Sequence, residues 1–284
     1  MASLSARLPT LELNSDYGSI SATGIGSCAL SQHGAKPMDW LIPQWPARVH
    51  ALCTTRAGGC SSAAYDSFNL GEHVGDKPAD VAANRAILEA QIGAQPIFLT
   101  QVHGTHIVSL SGATAQGAQA DGCLTAESGL ACTIMVADCL PVLLTNQQGS
   151  LVAAAHAGWR GLAGQGGHGI LEAAVATLGA GPILAWLGPC IGPEVFEVGA
   201  EVREAFVSHD QAAHAMFAPL TKGKWLADLQ GLARLRLGAL GVTQIYGNNG
   251  TRPWCTFSNP ARYFSHRRDR VSGRMAACIW LDKG

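Results

Sequence analysis

Three side chains that can hold a metal close three apolar runs. His103 ends "PIFLTQVH", Cys139 ends "LACTIMVADC" and His156 ends "SLVAAAH". Each run reads as a buried strand. Loops converge at strand ends, where sheet proteins often present functional groups. Two imidazoles and one thiolate are borderline-soft donors that suit zinc. Three protein ligands leave a fourth position for water or substrate, as a catalytic zinc requires. The separations between the three match no short zinc motif. Each residue therefore keeps a structural alternative, as a hydrogen-bonded imidazole or an inert buried thiol. The same trio would also serve a hydrolase, with Cys139 as nucleophile and His103 or His156 as base. A zinc-stabilised binding protein would need a fourth ligand. His106 lies three residues beyond His103 and is expected to face the other way.

The segment after His156, "AGWRGLAGQGGHG", is dense in glycine at 158, 161, 164, 166 and 167. A plain connector rarely needs so many. Such a loop suits a backbone that must come close to something.

The elements that must position these residues follow from periodicity. The chain has 284 residues, 48% of them apolar and 14% charged, so a substantial folded core is expected. A net charge of −1 argues against a nucleic-acid partner, whose phosphates call for a basic surface. No apolar run reaches the ~18 residues needed to span a bilayer. The nine cysteines contain no CxxC pair, which points to a reducing cytosol and not to a disulfide framework. Residues 1–37 are rich in Ser, Gly and Ala and lack periodicity; they read as a loose or non-native extension, with Met38 as a candidate natural start. Residues 38–284 then form a single catalytic domain without linker or repeat. Asp76 and Pro78 read as the start of a helix with Val81, Leu88 and Ile92 on one face. Further helices are expected in "GHGILEAAVATLG", "EVGAEVREAF" and "LADLQGLARLRLGALG", and strands in "PILAWLG", "TQIYG" and "RMAACIWL". The content is α/β, with consecutive strands that favour mixed sheets covered by helices over a repeating βαβ wheel.

The motifs "TTRAGGCS", "NLGEHVGD", "TQVHG", "ADC" followed by "PVLL", "AAAHAGWRGL", "GPCIG", "FEVG" and "YFSHRRDRVSGRMA" occur in that order. Together they resemble the laccase-domain family. Its members are described as multicopper polyphenol oxidoreductases, as zinc-dependent purine nucleoside phosphorylases with adenosine deaminase side activity, and as peptidoglycan editing factors. The resemblance runs from about Met38 to the C-terminus. It implies a four-layer αββα-like sandwich, two packed mixed sheets flanked by helices. It also implies a metal site at His103, Cys139 and His156, holding Zn2+ with Cu2+ as an alternative. A monomer or small homo-oligomer is expected, acting on a nucleoside and phosphate.

The competing activities ask for different residues. A multicopper oxidase needs about ten histidines, many as His-x-His. This chain has ten in all and none so paired. A single His2Cys site leaves room only for weak phenol oxidation by a copper-loaded form. Phosphorolysis of purine nucleosides, including methylthioadenosine, needs an anion site. Arg56 in "TTRAGG" and Arg160 in "HAGWRGLAGQGG" are candidates, the latter ahead of a helix N-terminus; structural ion pairs are the alternative for both. Deamination of adenosine would use a metal-activated water and a proton shuttle. His73 and Asp138 are the candidate shuttles. Asp138 could instead orient a ligand histidine, and His73 could brace its loop. Gln101 could contact substrate or serve as a fixed core amide. Removal of a wrong amino acid from a peptidoglycan precursor fits hydrolysis by either the metal or the thiol. The arginines of "RYFSHRRDRVSGR" read mainly as a solvated face or sheet-edge protection, with a phosphate contact as the alternative.

Overall fold

A computed structural model describes residues 38–282. The expected N-terminal extension lies outside the described residues. The strands, in chain order, begin with β1 (Val49–Cys53), β2 (Gln95–Phe98), β3 (Ile107–Ser109), β4 (Gly122–Thr125), β5 (Leu130–Val136) and β6 (Leu140–Asn146). They continue with β7 (Val152–Ala157), β8 (Ile183–Leu187), β9 (Glu197–Val198), β10 (Phe217–Pro219), β11 (Trp225–Ala227), β12 (Gln244–Gly247) and β13 (Met275–Leu281). The α-helices are α1 (Pro78–Ile92), α2 (Trp159–Ala163), α3 (Ile170–Thr177), α4 (Ala200–Val207), α5 (Leu229–Ala239) and α6 (His266–Asp269).

Two mixed sheets make the body of the molecule. One has the order β1-β13-β5-β2 and the other β12-β8-β6-β7-β4-β3. Parallel pairs occur only at edges, β2 on β5, β12 on β8 and β3 on β4. The period-two pleat sorts side chains into layers. Cys132, Ile134 and Val136 of β5 meet Leu143 of β6 and Val152 and Ala154 of β7 in a core between the sheets. The alternate residues Ala131 and Met135 face α1 through Ile87, Leu88 and Ile92. On the far side, Leu140, Val142 and Leu144 of β6 and Ala153 and Ala155 of β7 pack on α3, α4 and α5. The result is the four-layer sandwich that the family resemblance implies. A third sheet, β10-β11-β9, was not anticipated. Its strands are too short for periodicity to register.

Two chain crossings between the main sheets bring distant segments together. The turn 137–139 carries the chain from β5 in one sheet to β6 in the other, and residues 99–106 carry it from β2 to β3. Both crossings meet near the C-terminal end of β7. The expectation that all three candidate ligands close strands is corrected. His156 lies inside β7, Cys139 lies in the 137–139 turn, and His103 lies in the loop beyond β2. Asp76 is no N-cap for α1. Lys77 holds that place, and the Asp76 carboxylate accepts from Lys77 N and Asn69 Nδ2 within its own loop. Among the described residues seven cysteines are free thiols, six of them buried as small apolar groups, whereas Cys60 is disulfide-bonded. No helix among the described residues is long and apolar enough to cross a membrane.

Candidate metal centre

The two crossings and β7 bring His103, Cys139 and His156 together, with their ligand atoms within 4.8 Å of one another. Cys139 Sγ lies 3.8 Å from His103 Nε2. A tetrahedral zinc with ordinary bond lengths would set that sulfur–nitrogen separation at about 3.6 Å. The rings of His103 and His156 stand edge-on, 74° apart with centroids at 4.8 Å. The donor set and the spacing thus fit a zinc-class ion. Exposure is graded across the site: His156 is buried, Cys139 half-buried and His103 exposed. A metal held there would have its fourth position on the solvent side.

One buried carboxylate organises two of the three ligands. Asp121, fully buried just before β4, has Oδ1 2.8 Å from His156 Nδ1. With this acceptor the proton belongs on Nδ1, leaving the Nε2 lone pair for the metal. The same carboxylate accepts from the backbone N–H groups of Val102 (3.1 Å), His103 (2.8 Å) and Gly104 (2.6 Å). His103 is held at a φ of 63°, a left-handed conformation that a non-glycine residue adopts only when its surroundings impose it. Burial works to raise the Asp121 pKa. The bonds from His156, Gly104 and His103 outweigh that and hold it below the ordinary carboxylate value. Sequence reasoning missed Asp121. Its only signal is one acid in the apolar stretch "AQADGCLT".

The thiol and imidazole polarise each other. Burial alone would raise the Cys139 pKa, but the His156 charge and hydrogen bonds from both imidazoles bring it down to about 6. Burial likewise works against His156⁺, and the Cys139 thiolate and Asp121 raise its pKa to about 9. Without metal the pair is thiolate and imidazolium at neutral pH, and metal binding displaces the imidazolium proton. The expected consequence is measurable by alkylation of the metal-free protein with iodoacetamide. Thiolate builds up as pH rises through the pKa, so modification of Cys139 should be half-maximal near pH 6. Bound metal should suppress it. A midpoint near the ordinary thiol value of about 8.5 would contradict the assignment.

Two of the glycines after His156, Gly158 and Gly161, have a cause in the site itself. A Cβ on Gly158 would stand 3.0 Å from His103 Cδ2 and 3.1 Å from Cys139 Sγ, and one on Gly161 would stand 2.6 Å from Gly104 O. The missing side chains at 158 and 161 let α2 close over the ligand cluster. The N-terminus of α3 is occupied as well: Gly169 N donates to Glu172 Oε2, and Glu172 pairs with Arg236. Gly158→Ala should push the ligands apart and weaken metal binding about tenfold or more. Chelator competition on the folded variant measures this, and an unchanged affinity would refute the packing role.

The other candidates make contacts of their own. Gln101 is clamped to β5: Met135 N donates to its Oε1 and its Nε2 donates to Met135 O. It acts as a brace for the His103 loop. Asp138 has both carboxylate oxygens engaged, by Thr256 Oγ1 at 2.6 Å and Arg267 N at 2.6 Å. It anchors the α6 segment, and the carboxylate that orients a ligand histidine is Asp121. Arg56 donates to Asp66 O and Pro260 O and lies over Phe264. The charges acting on it are those of Asp66, Arg268 and Asp269, none of them in the metal site. Arg160 is exposed at the start of α2 and lies over the Trp159 ring, with no hydrogen bond to the described residues. His73 sits on the one-turn helix Glu72–Val74. Burial, then Arg274 and Arg85, hold its pKa below the ordinary imidazole value, leaving it neutral at pH 7. Among the described residues one group of metal-capable side chains is found, the trio itself.

Residues 50–282 match the family model described as multi-copper polyphenol oxidoreductase laccase. The chain belongs to this family. It is 49% identical over 247 residues to a purine nucleoside phosphorylase of Pseudomonas aeruginosa, covering 85% of this chain and 98% of the relative. A purine nucleoside phosphorylase of Escherichia coli, YfiH, is 48% identical over 248 residues, with 85% and 98% covered. Among solved structures, a Neisseria meningitidis protein of family DUF152 superposes with a TM-score of 0.80 at 45% identity, covering 86% of this chain and 99% of that one. YlmD from Geobacillus stearothermophilus gives 0.75 at 31% identity, with 89% and 98% covered.

Proposed function

We propose that this chain is a zinc-dependent purine nucleoside phosphorylase. The observation that carries the reading is the His103–Cys139–His156 donor set, open on one side, in a chain 49% identical across 98% of a relative bearing that name. In the reaction a phosphate oxygen forms a bond to C1′ of the nucleoside as the C1′–N9 bond breaks. The electron pair leaves with the purine, which takes up a proton, and ribose 1-phosphate is the second product. A zinc at the trio supplies Lewis-acid stabilisation of developing negative charge. His103, Cys139 and His156 would hold it, and Asp121 keeps the two histidines aimed. His73, neutral at pH 7, is the side chain we assign to proton movement. Arg160, which makes no hydrogen bond to the described residues, is assigned to substrate contact.

Methylthioadenosine phosphorolysis and adenosine deamination are included in the proposal as side activities of the same pocket. The donor set disfavours multicopper chemistry: one group of two imidazoles and a thiolate cannot make a trinuclear cluster and a separate electron-entry site.

The test is incubation of protein of measured zinc content with inosine or adenosine, with and without phosphate. Ribose 1-phosphate that requires phosphate supports the reading. Free ribose formed equally without phosphate would identify a hydrolase and overturn it.

A further inference from the structure

The basic run "RYFSHRRDRVSGR" splits into separate roles once folded. Arg262 pairs with Asp39. Arg267 donates to Glu197 O. Arg268 holds the carbonyls of Thr256, Phe257 and Tyr263 and the Asp269 carboxylate. These guanidinium groups tie loops together. Arg274 differs in where it stands and in what it leaves unpaired.

The Arg274 backbone is locked: its N–H donates to Asn69 Oδ1, which also accepts from Gly71 N. Its stem lies flat on Gly71, where a Cβ would stand 2.8 Å from Arg274 Cγ. Nη1 donates to the carbonyls of Ser272 at 2.9 Å and Gly273 at 3.1 Å, and more weakly to Ser272 Oγ at 3.4 Å. Nε and Nη2 find no acceptor among the described residues. The half-buried guanidinium lies within the field of Cys139, Asp138 and Tyr65, and its charge in turn reaches His73. Asp138 does not consume it, because both Asp138 oxygens are already engaged. Met275 pairs with Val136, so Arg274 stands at the start of the ligand turn 137–139, and its stem lies on Gly71 of the His73 loop with the Nε–Nη2 edge unpaired. Two parallel N–H groups on that edge match two oxygens of a tetrahedral anion.

We propose that Arg274 is the phosphate-binding residue of this site, gripping the anionic co-substrate through Nε and Nη2 beside the metal. The proposal rests on the phosphorylase reading for the role of the anion, and on the geometry for its place. Arg56, held elsewhere by Asp66 and Pro260, does not take that part.

Two measurements on zinc-loaded protein test it: the KM for phosphate in base release, and the shift of melting temperature with added inorganic phosphate. Arg274→Gln should raise the phosphate KM about ten- to hundredfold, leave the nucleoside KM and zinc content near wild type, and abolish the phosphate-dependent shift. Arg274→Lys keeps the charge but loses the paired geometry, and should fall between. It decides the matter if the glutamine variant fails to fold. A phosphate KM and thermal shift unchanged in folded, zinc-loaded variants would overturn the assignment. If wild-type protein shows the shift, and loses it on substitution, but releases no base with phosphate, the anion site stands and the phosphorylase reading fails.

Discussion

Cys139→Ala should yield a folded protein that retains no zinc and releases purine base at least about a thousandfold more slowly. That factor is the few kcal/mol of charge stabilisation a Lewis acid contributes. Cys139 is half-buried in a turn, so losing its sulfur should cost only about 1 kcal/mol of stability. The thiolate is also the strongest influence holding a proton on His156. Its removal therefore alters both remaining ligands and not only the missing one. Elemental analysis, circular dichroism and the base-release assay on one preparation make the test. Full activity in a metal-free variant would end the metal account. An active metal-free wild type beside a dead Cys139→Ala would instead favour the thiol as nucleophile.

Asp121→Ala should be the most destabilising single change near the site. It strips the acceptor from His156 Nδ1 and from three backbone N–H groups at once. Each buried donor left unpaired costs about 1–3 kcal/mol, so a loss of about 3–5 kcal/mol is expected, read as a lowered unfolding midpoint. Loosening both histidines should also weaken zinc binding about ten- to hundredfold in whatever fraction folds. Asp121→Asn keeps the volume and one acceptor oxygen, so it should lose less stability while still losing metal affinity. Near-wild-type stability and affinity in both variants would show that the carboxylate organises nothing.

The sequence disclosed the ligands but not what aims them. His103, Cys139 and His156 were candidates because each is a metal-capable side chain beside a run too apolar to be surface, and the resemblance to the laccase-domain family singled them out as one ligand set. Asp121 was not, because its four partners come from residues 102–104 and 156, contacts that only the sheet crossings create. Long helices were legible for a local reason. In α1 the stripe Val81, Leu88 and Ile92 is buried as its spacing requires. The strand runs were read too long, since "TQVH" and "ADC" carry apolar residues across crossings that leave the sheet. Arg56 and Arg274 each lie within two residues of a glycine. Only the fold shows that one is tied to Asp66 and Pro260 while the other keeps an edge free. Of the glycines after His156, Gly158 and Gly161 mark a close approach that only the fold identifies. What comes close is the ligand cluster, with Cys139 Sγ 3.1 Å from where a Gly158 Cβ would stand.

The most direct test of metal-dependent phosphorolysis is a zinc titration of metal-free protein, with phosphate-dependent base release followed against zinc bound per chain. Activity should rise in proportion to bound metal and stop rising at one ion per chain, and Cys139→Ala should neither bind nor respond. Activity at its full level before any zinc is added would contradict a zinc-dependent mechanism, as would one tightly bound zinc per chain with no base release.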